Sequence, residues 1–192
     1  MRMPRPSHGG RRVEEPHPGV VEAARRGDRT AFEVLVRAHQ ADVWRLCLHL
    51  LGDRPGADDA TQEAFVRVFR FLPRFRGEAR FTTWLFSIAR NCARDELRRR
   101  QRARRALEAF EDRPGPSAAR LELGAEVRQA VALLPLDLRE PLVMIDVLGR
   151  SYADTAATLG APVGTIKSRV HRARAQLAVA LGEWDEEARG VR

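Results

Sequence analysis

Apolar residues recur at intervals of three and four along most of the chain, the spacing of one face of an α-helix. After Asp28, a helix-capping residue, the positions Phe32, Leu35, Val36, Val43, Leu46, Cys47 and Leu50 share one side and predict a long first helix. Gly52 and the stretch from Asp53 to Gly56 read as a turn. A second helix is expected from about Ala57 to Leu72, burying Ala64, Phe65, Val68, Phe69 and Leu72, and Pro73 ends it. The loop from Arg74 to Arg80 leads into a third helix from about Phe81 to Arg102.

The segment Asp112-Arg-Pro-Gly-Pro-Ser117 breaks every periodicity and has the composition of a linker. Beyond it, one helix is expected up to about Leu134, stopped by Pro135, and another from about Leu138 to Leu148. Pro141 falls in the first turn of the latter or just past it, where a missing N–H costs least. Ser151 with Asp154 three residues on is a capping-box start for a short helix that ends at Gly160. Pro162 opens a last helix reaching about Leu181. With no strand-like alternation, the chain reads as all-α: two small helical domains joined by a flexible linker. The expected boundaries are a disordered tail over 1–18, a first domain over 19–104, a linker over 105–120, a second domain over 121–182 and a C-terminal tail over 183–192.

Composition then narrows the class. Of 192 residues, 34 are Lys or Arg and 26 are Asp or Glu, a net charge of +8 that favours a polyanionic partner. Lys167 is the only lysine. Cys47 and Cys92 have no further Cys or His at metal-ligand spacing, so two reduced, buried thiols are expected and no metal or other cofactor. The arginines near the N-terminus precede no apolar stretch, and no run approaches the roughly 20 apolar residues of a membrane span. A soluble cytoplasmic protein without membrane insertion is the expectation.

The last helix has two faces. At 100° per residue, Ile166, Val170, Ala173 and Leu177 form a narrow apolar stripe, with Ser168, His171, Arg172 and Ala175 opposite and Lys167, Arg169 and Arg174 on the flanks. Preceded by a short helix and the turn Gly160-Ala161-Pro162, it suggests a helix-turn-helix. Arg forks onto guanine, Ser and His reach base edges, and the flanking cations suit phosphates. A solvated basic face is the plainer alternative. In the third helix, Phe81, Leu85, Ile88, Ala89 and Cys92 are the apolar side. Thr83, Ser87, Arg90, Asn91, Arg94 and Arg98 lie opposite, a stripe without an acid that favours phosphate binding. Phe75 beside Arg76 in the preceding loop offers stacking and backbone neutralisation for a single-stranded base, or simply closes the bundle's end. Trp84, at the edge of the apolar side, reads as core.

These residues also carry a family resemblance. The stretch Pro162-Val-Gly-Thr-Ile-Lys-Ser-Arg-Val-His-Arg-Ala-Arg174, with Leu133-Leu134-Pro135 before it, resembles region four of the extracytoplasmic-function sigma factors of bacterial RNA polymerase. Asp59-Ala-Thr-Gln-Glu-Ala-Phe65 and Arg74-Phe-Arg-Gly-Glu-Ala-Arg-Phe-Thr-Thr-Trp-Leu-Phe-Ser-Ile-Ala-Arg-Asn91 are similar to region two of the same family. The resemblance implies a promoter-reading polymerase subunit in which Lys167, Ser168, His171 and Arg172 read the minus-thirty-five element. It implies that the Phe75 loop and Asn91 capture a base flipped from the minus-ten element. It also implies that Asp59, Gln62 and Glu63 dock on the β′ clamp helices of core polymerase. The β flap of the core and an anti-sigma factor are further implied partners. Thr155 and Thr158 stand where the family usually has Ile, Val or Leu, which predicts a slightly looser support helix whose hydroxyls turn back to carbonyls one turn earlier.

Two other classes fit less of the chain. A regulator using only the last two helices leaves the Arg90/Arg94/Arg98 stripe and the Phe75 loop without a role. An enzyme acting on nucleic acid lacks a phosphate-binding Gly-rich loop, a His-Glu-x-x-His and an evident carboxylate cluster. His39 and His49 read as ordinary, partly buried histidines, so no catalytic activity is expected.

Overall fold

A computed structural model describes residues 13–108 and 125–188, and every regular element among them is helical. The outer part of the expected N-terminal tail, most of the linker and the last residues of the C-terminal tail lie outside the described residues. The first bundle contains α1 (Pro18–Arg25), α2 (Arg29–Leu51), α3 (Arg54–Phe71) and α4 (Phe81–Glu108). The second contains α5 (Ala125–Leu133), α6 (Leu136–Leu142), α7 (Tyr152–Leu159) and α8 (Val163–Ala188).

Local chemistry sets most of the ends. Asp28 accepts from Ala31 N at 3.1 Å and starts α2, and Gly52, at φ 85°, ends it in the left-handed region that costs glycine nothing. Asp53, expected only as a turn residue, caps α3 by accepting from Gly56 N at 2.8 Å. Ser151 Oγ accepts from Asp154 N at 3.0 Å to start α7. Pro141 lies inside α6 rather than in its first turn, because the helix begins earlier, at Leu136. Its ring and missing donor disturb the ladder, and the chain widens into a π-turn over Val143–Val147. α1 was not anticipated: it has only eight residues, and it is held by a His17 cap and Pro18 in the first turn. α4 continues to Glu108 and α8 to Ala188, so both basic helices run past their expected ends.

The core of the first bundle joins Leu35, Val43, Leu46, Cys47 and Leu50 to Ala64, Val68, Leu72, Leu85 and Ala89. Burial pushes the Cys47 thiol up to about 12 and the Cys92 thiol up to about 11, and both cysteines are free. Phe69, expected inside, is 54% exposed: it stacks edge-on against Phe32 on the outer side of α3. In the second bundle Ile166, Val170 and Ala173 bury the stripe expected of α8 against Leu138, Leu142, Val143, Met144 and Leu148. Thr155 and Thr158 are buried, and Thr158 Oγ1 donates to the Asp154 carbonyl at 2.8 Å. Thr155 Oγ1 makes no such bond.

The two bundles pack together. α4 lies against α7, and α2 against α5 and the π-turn, so one apolar cluster runs through both. Arg139 makes a polar contact across this seam. Its guanidinium donates to the carbonyl of Leu50 at 2.6 Å and to that of Leu134 at 2.8 Å, and also bonds the Ala132 carbonyl. It thereby satisfies the C-terminal carbonyls of α2 and of the α5 end, where a cation is favoured by the helix dipole.

Candidate nucleic-acid interface

On α8, Lys167, Ser168, His171 and Arg172 are exposed on the side away from the buried stripe. Ser168 Oγ turns back to the Thr165 carbonyl at 2.9 Å, and neither Lys167 nor Arg172 has an ion pair among the described residues. The flanking cations differ. Arg174 forks onto Asp146 at 2.9 and 2.6 Å, and Arg169 lies 3.9 Å from Asp137. Lys167, His171 and Arg172 thus keep their hydrogen-bonding capacity for a ligand, whereas Arg169 and Arg174 face acids of α6 and the π-turn.

The α4 stripe departs from its sequence-based description. Thr83 is buried, and Arg90 and Arg94 do not face open solvent. Glu140, on α6 of the second bundle and 2% exposed, sits between them. Arg94 Nε donates to its Oε1 at 2.5 Å, and Arg90 Nε lies 2.9 Å from its Oε2. An acid therefore does enter the stripe, from 46 residues away. A second one borders it: Asp95 accepts from Arg98 at 2.9 Å and from Arg67 at 2.9 Å. Those two arginines hold its carboxyl below the usual carboxylate range, with Arg67 the larger cause. Asn91 remains exposed.

Next to this pair, Arg150 is buried with its guanidinium 4.6 Å from the centre of the Phe86 ring. It also reaches Thr83 and Thr158, each at 3.4 Å. Burial lowers its pKa from the ordinary guanidinium value. Part of the polar side of α4, around Thr83, Phe86, Arg90 and Arg94, is consequently a second packed face, while Asn91 and Arg98 stay exposed. Sequence reasoning missed Glu140, Arg139 and Arg150 entirely. The available hint was Phe86, a large apolar residue bordering the polar stripe.

Phe75 is half-buried and closes the end of the first bundle. Its ring centre lies 4.9 Å from that of Trp84 and 6.1 Å from that of Phe81. Trp84, expected as core, is half-buried within this aromatic cluster against the core. Arg76 is exposed, with only a loose pair to Glu78 at 3.7 Å. Asn91 follows Trp84 by two helical turns on the same face, about 10 Å along the axis. A cleft of about 760 Å³ opens beside Phe75, walled by Arg76, Arg80, Glu15, Glu22 and Arg25.

On the outer side of α3, Asp59, Gln62 and Glu63 are exposed, Glu63 holding Arg67 at 2.7 Å. Gln62 also lines an apolar groove of about 820 Å³ between α2 and α3, with Phe32, Trp44, Phe65, Val66 and Phe69. The described residues contain no helix long and apolar enough to cross a membrane and no cluster of metal-ligating side chains.

A helix-turn-helix with an open basic face, joined to a bundle whose last helix is arginine-rich, is the architecture of a sigma-70-type transcription initiation factor. Residues 35–103 match the family described as Sigma-70 region 2, and residues 124–177 match Sigma-70, region 4. The RNA polymerase sigma-H factor of Pseudomonas aeruginosa is 37% identical over 191 residues, covering 92% of this chain and 99% of that protein. The ECF RNA polymerase sigma factor SigC of Mycobacterium tuberculosis is 42% identical over 156 residues, 79% of this chain and 84% of its own. The solved structure of the sigma factor RpoE in complex with the anti-sigma factor NepR from Bartonella quintana superposes with a TM-score of 0.66 at 28% identity, covering 79% of this chain and 96% of that one. The chain belongs to the extracytoplasmic-function sigma factors of RNA polymerase.

Proposed function

We propose that this sigma factor divides promoter recognition between its two bundles, in the cytoplasm and without catalysing a reaction. Ser168, His171 and Arg172, with Lys167 beside them, read the minus-thirty-five duplex, and Arg169 and Arg174 lie where its phosphates pass. Phe75, Arg76 and Asn91, with Arg90, Arg94 and Arg98, hold the opened minus-ten strand. An unstacked base costs a few kcal/mol to extrude, roughly what a pocket that binds only the extruded form offsets. Asp59, Gln62 and Glu63 dock on the β′ clamp helices, where the exposed apolar groove beside them adds a surface of the kind that marks protein contacts. The second bundle meets the β flap. Two weak modules on one linker gain specificity through effective concentration.

The observation that carries this reading is the contrast on α8, where the outward Lys167 and Arg172 are unpaired among the described residues while the flanking Arg169 and Arg174 are paired. A corollary follows from Glu140. Arg90 and Arg94 reach a DNA strand only after the bundles separate, so the packed form is a resting state that polymerase must open. RpoE was solved with an anti-sigma factor, and a partner of that kind acting here would hold the resting state. Run-off transcription with purified core polymerase on a promoter library tests the proposal. Productive initiation from a defined minus-ten and minus-thirty-five pair is the expected outcome, and DNA binding without initiation would return the chain to the simple-regulator reading.

A further inference from the structure

Residues 13–17 precede the first helix and were expected to belong to a tail without structure. Instead, Glu15 reaches the start of α4. Its carboxylate accepts from Phe81 N at 2.5 Å, from Thr82 N at 3.2 Å and from the Thr82 hydroxyl at 2.6 Å. The backbone of α4 begins its ladder at the Arg80 carbonyl, so Arg80 is the capping residue. An arginine side chain only donates hydrogen bonds, so it cannot accept from the first N–H groups of its own helix. The cap comes from 66 residues earlier in the chain. A carboxylate is the strongest form of such a cap, because it also meets the positive end of the helix dipole.

Glu15 also holds the loop. Arg80 Nε lies 3.5 Å from its carboxylate, while Arg80 Nη1 donates to Asp154 of α7 at 3.2 Å. Arg80 ends the Phe75 loop, and both Glu15 and Arg80 wall the cleft beside Phe75. One acidic side chain therefore ties together the N-terminal segment, the end of the Phe75 loop and the first turn of the helix that carries Arg90, Asn91 and Arg94.

We infer that Glu15 is a positioning residue for minus-ten opening, an inference that rests on the assignment of Phe75 and Asn91 to the opened strand. It fixes the angle at which the Phe75 loop meets α4 and does not itself touch the base. Glu15 touches neither the exposed face of α8 nor Asp59, Gln62 and Glu63 of α3.

The test uses the full chain with core polymerase on a promoter obtained from the run-off library. Open-complex formation is read by permanganate reactivity, core affinity by fluorescence anisotropy and upstream binding on a minus-thirty-five duplex. Glu15→Ala is expected to lower opening by about tenfold, the scale of one charge-assisted hydrogen bond, with core and upstream affinities within about twofold. Glu15→Gln keeps one acceptor oxygen and is expected to restore part of the loss. Phe75→Ala and Asn91→Ala serve as controls for the underlying assignment. If these two impair opening and both Glu15 variants do not, the positioning role is refuted while the assignment stands. If neither control impairs opening, the assignment itself fails. Equal loss of opening, core binding and upstream binding in Glu15→Ala, with a lowered melting temperature and no gain from glutamine, would overturn the inference in favour of a folding role.

Discussion

Replacing Glu140 with glutamine is expected to open the seam between the bundles. In the packed form its side chain is 3% exposed, with Arg90 15% and Arg94 34% exposed around it. Removing one partner of a fully buried ion pair costs about 3–5 kcal/mol, because the remaining charge is stranded away from water. Here Arg94 keeps a third of its surface in solvent, so its share is screened, and about 2–3 kcal/mol is the more appropriate range. Once the bundles separate, both arginines and the new amide are hydrated, so the penalty falls on the packed form alone. The ratio of packed to open molecules should then drop by about 30–150-fold. Small-angle scattering should show a larger radius of gyration at unchanged helical circular dichroism. A single-stranded minus-ten oligonucleotide should bind more tightly to the variant than to the wild type. Unchanged dimensions and strand affinity, at full helicity, would refute the idea that this pair holds the seam.

Arg172→Ala is expected to cost about 1–3 kcal/mol of discrimination at the upstream element; a uniform loss across sequences would mark it as a phosphate contact instead. Phe69→Ser, at a position 54% exposed, should weaken core polymerase binding while leaving the melting temperature within a few degrees, and intact core affinity would remove the α3 groove from the docking face. Burial holds His39 and His49 below the ordinary imidazole value, so the unfolded chain binds protons that the folded chain refuses. Stability should be full above about pH 6.5 and fall below it, by at most about 1.4 kcal/mol per pH unit for each histidine. Urea melts of wild type and His39→Leu at about pH 7 and about pH 5 measure the slope, and equal slopes would clear His39. Cys47, with its thiol near 12, should resist alkylation at about pH 8 in the folded protein and react on unfolding.

The features visible in the sequence were those decided within one turn or one helix. Asp28, Ser151 and Gly160 act on neighbours three to five residues away, so their effect is read locally. The α8 face was legible for the same reason, since a single period separates Ile166, Val170 and Ala173 from His171 and Arg172. Phe69 was misplaced because periodicity says which side is apolar, not whether that side is covered. Glu140 and Glu15 were invisible for a different reason. Each is an ordinary acidic residue in its own segment, and its meaning lies 46 and 66 residues away. Asp95 was overlooked because it borders the stripe on the wheel and reaches across to Arg98 and Arg67.

The composition of the seam has a thermodynamic consequence. An all-apolar contact between the bundles would close permanently, since separating it would expose apolar surface with nothing gained in return. The seam instead mixes an apolar patch with Glu140, Arg90, Arg94, Arg139 and Arg150. Desolvating these charges nearly cancels their mutual attraction, so the polar part adds little to the closed state when all partners are present. On opening, water re-solvates each group, and a DNA phosphate can replace the Glu140 carboxylate at Arg90 and Arg94 with similar geometry. Under the proposed assignment of Arg90 and Arg94 to the opened strand, the same arginines serve the packed form and the strand, and only one of these at a time. On that proposal, DNA binding and bundle packing compete for α4, and promoter opening is coupled to the separation of the two bundles without any third element.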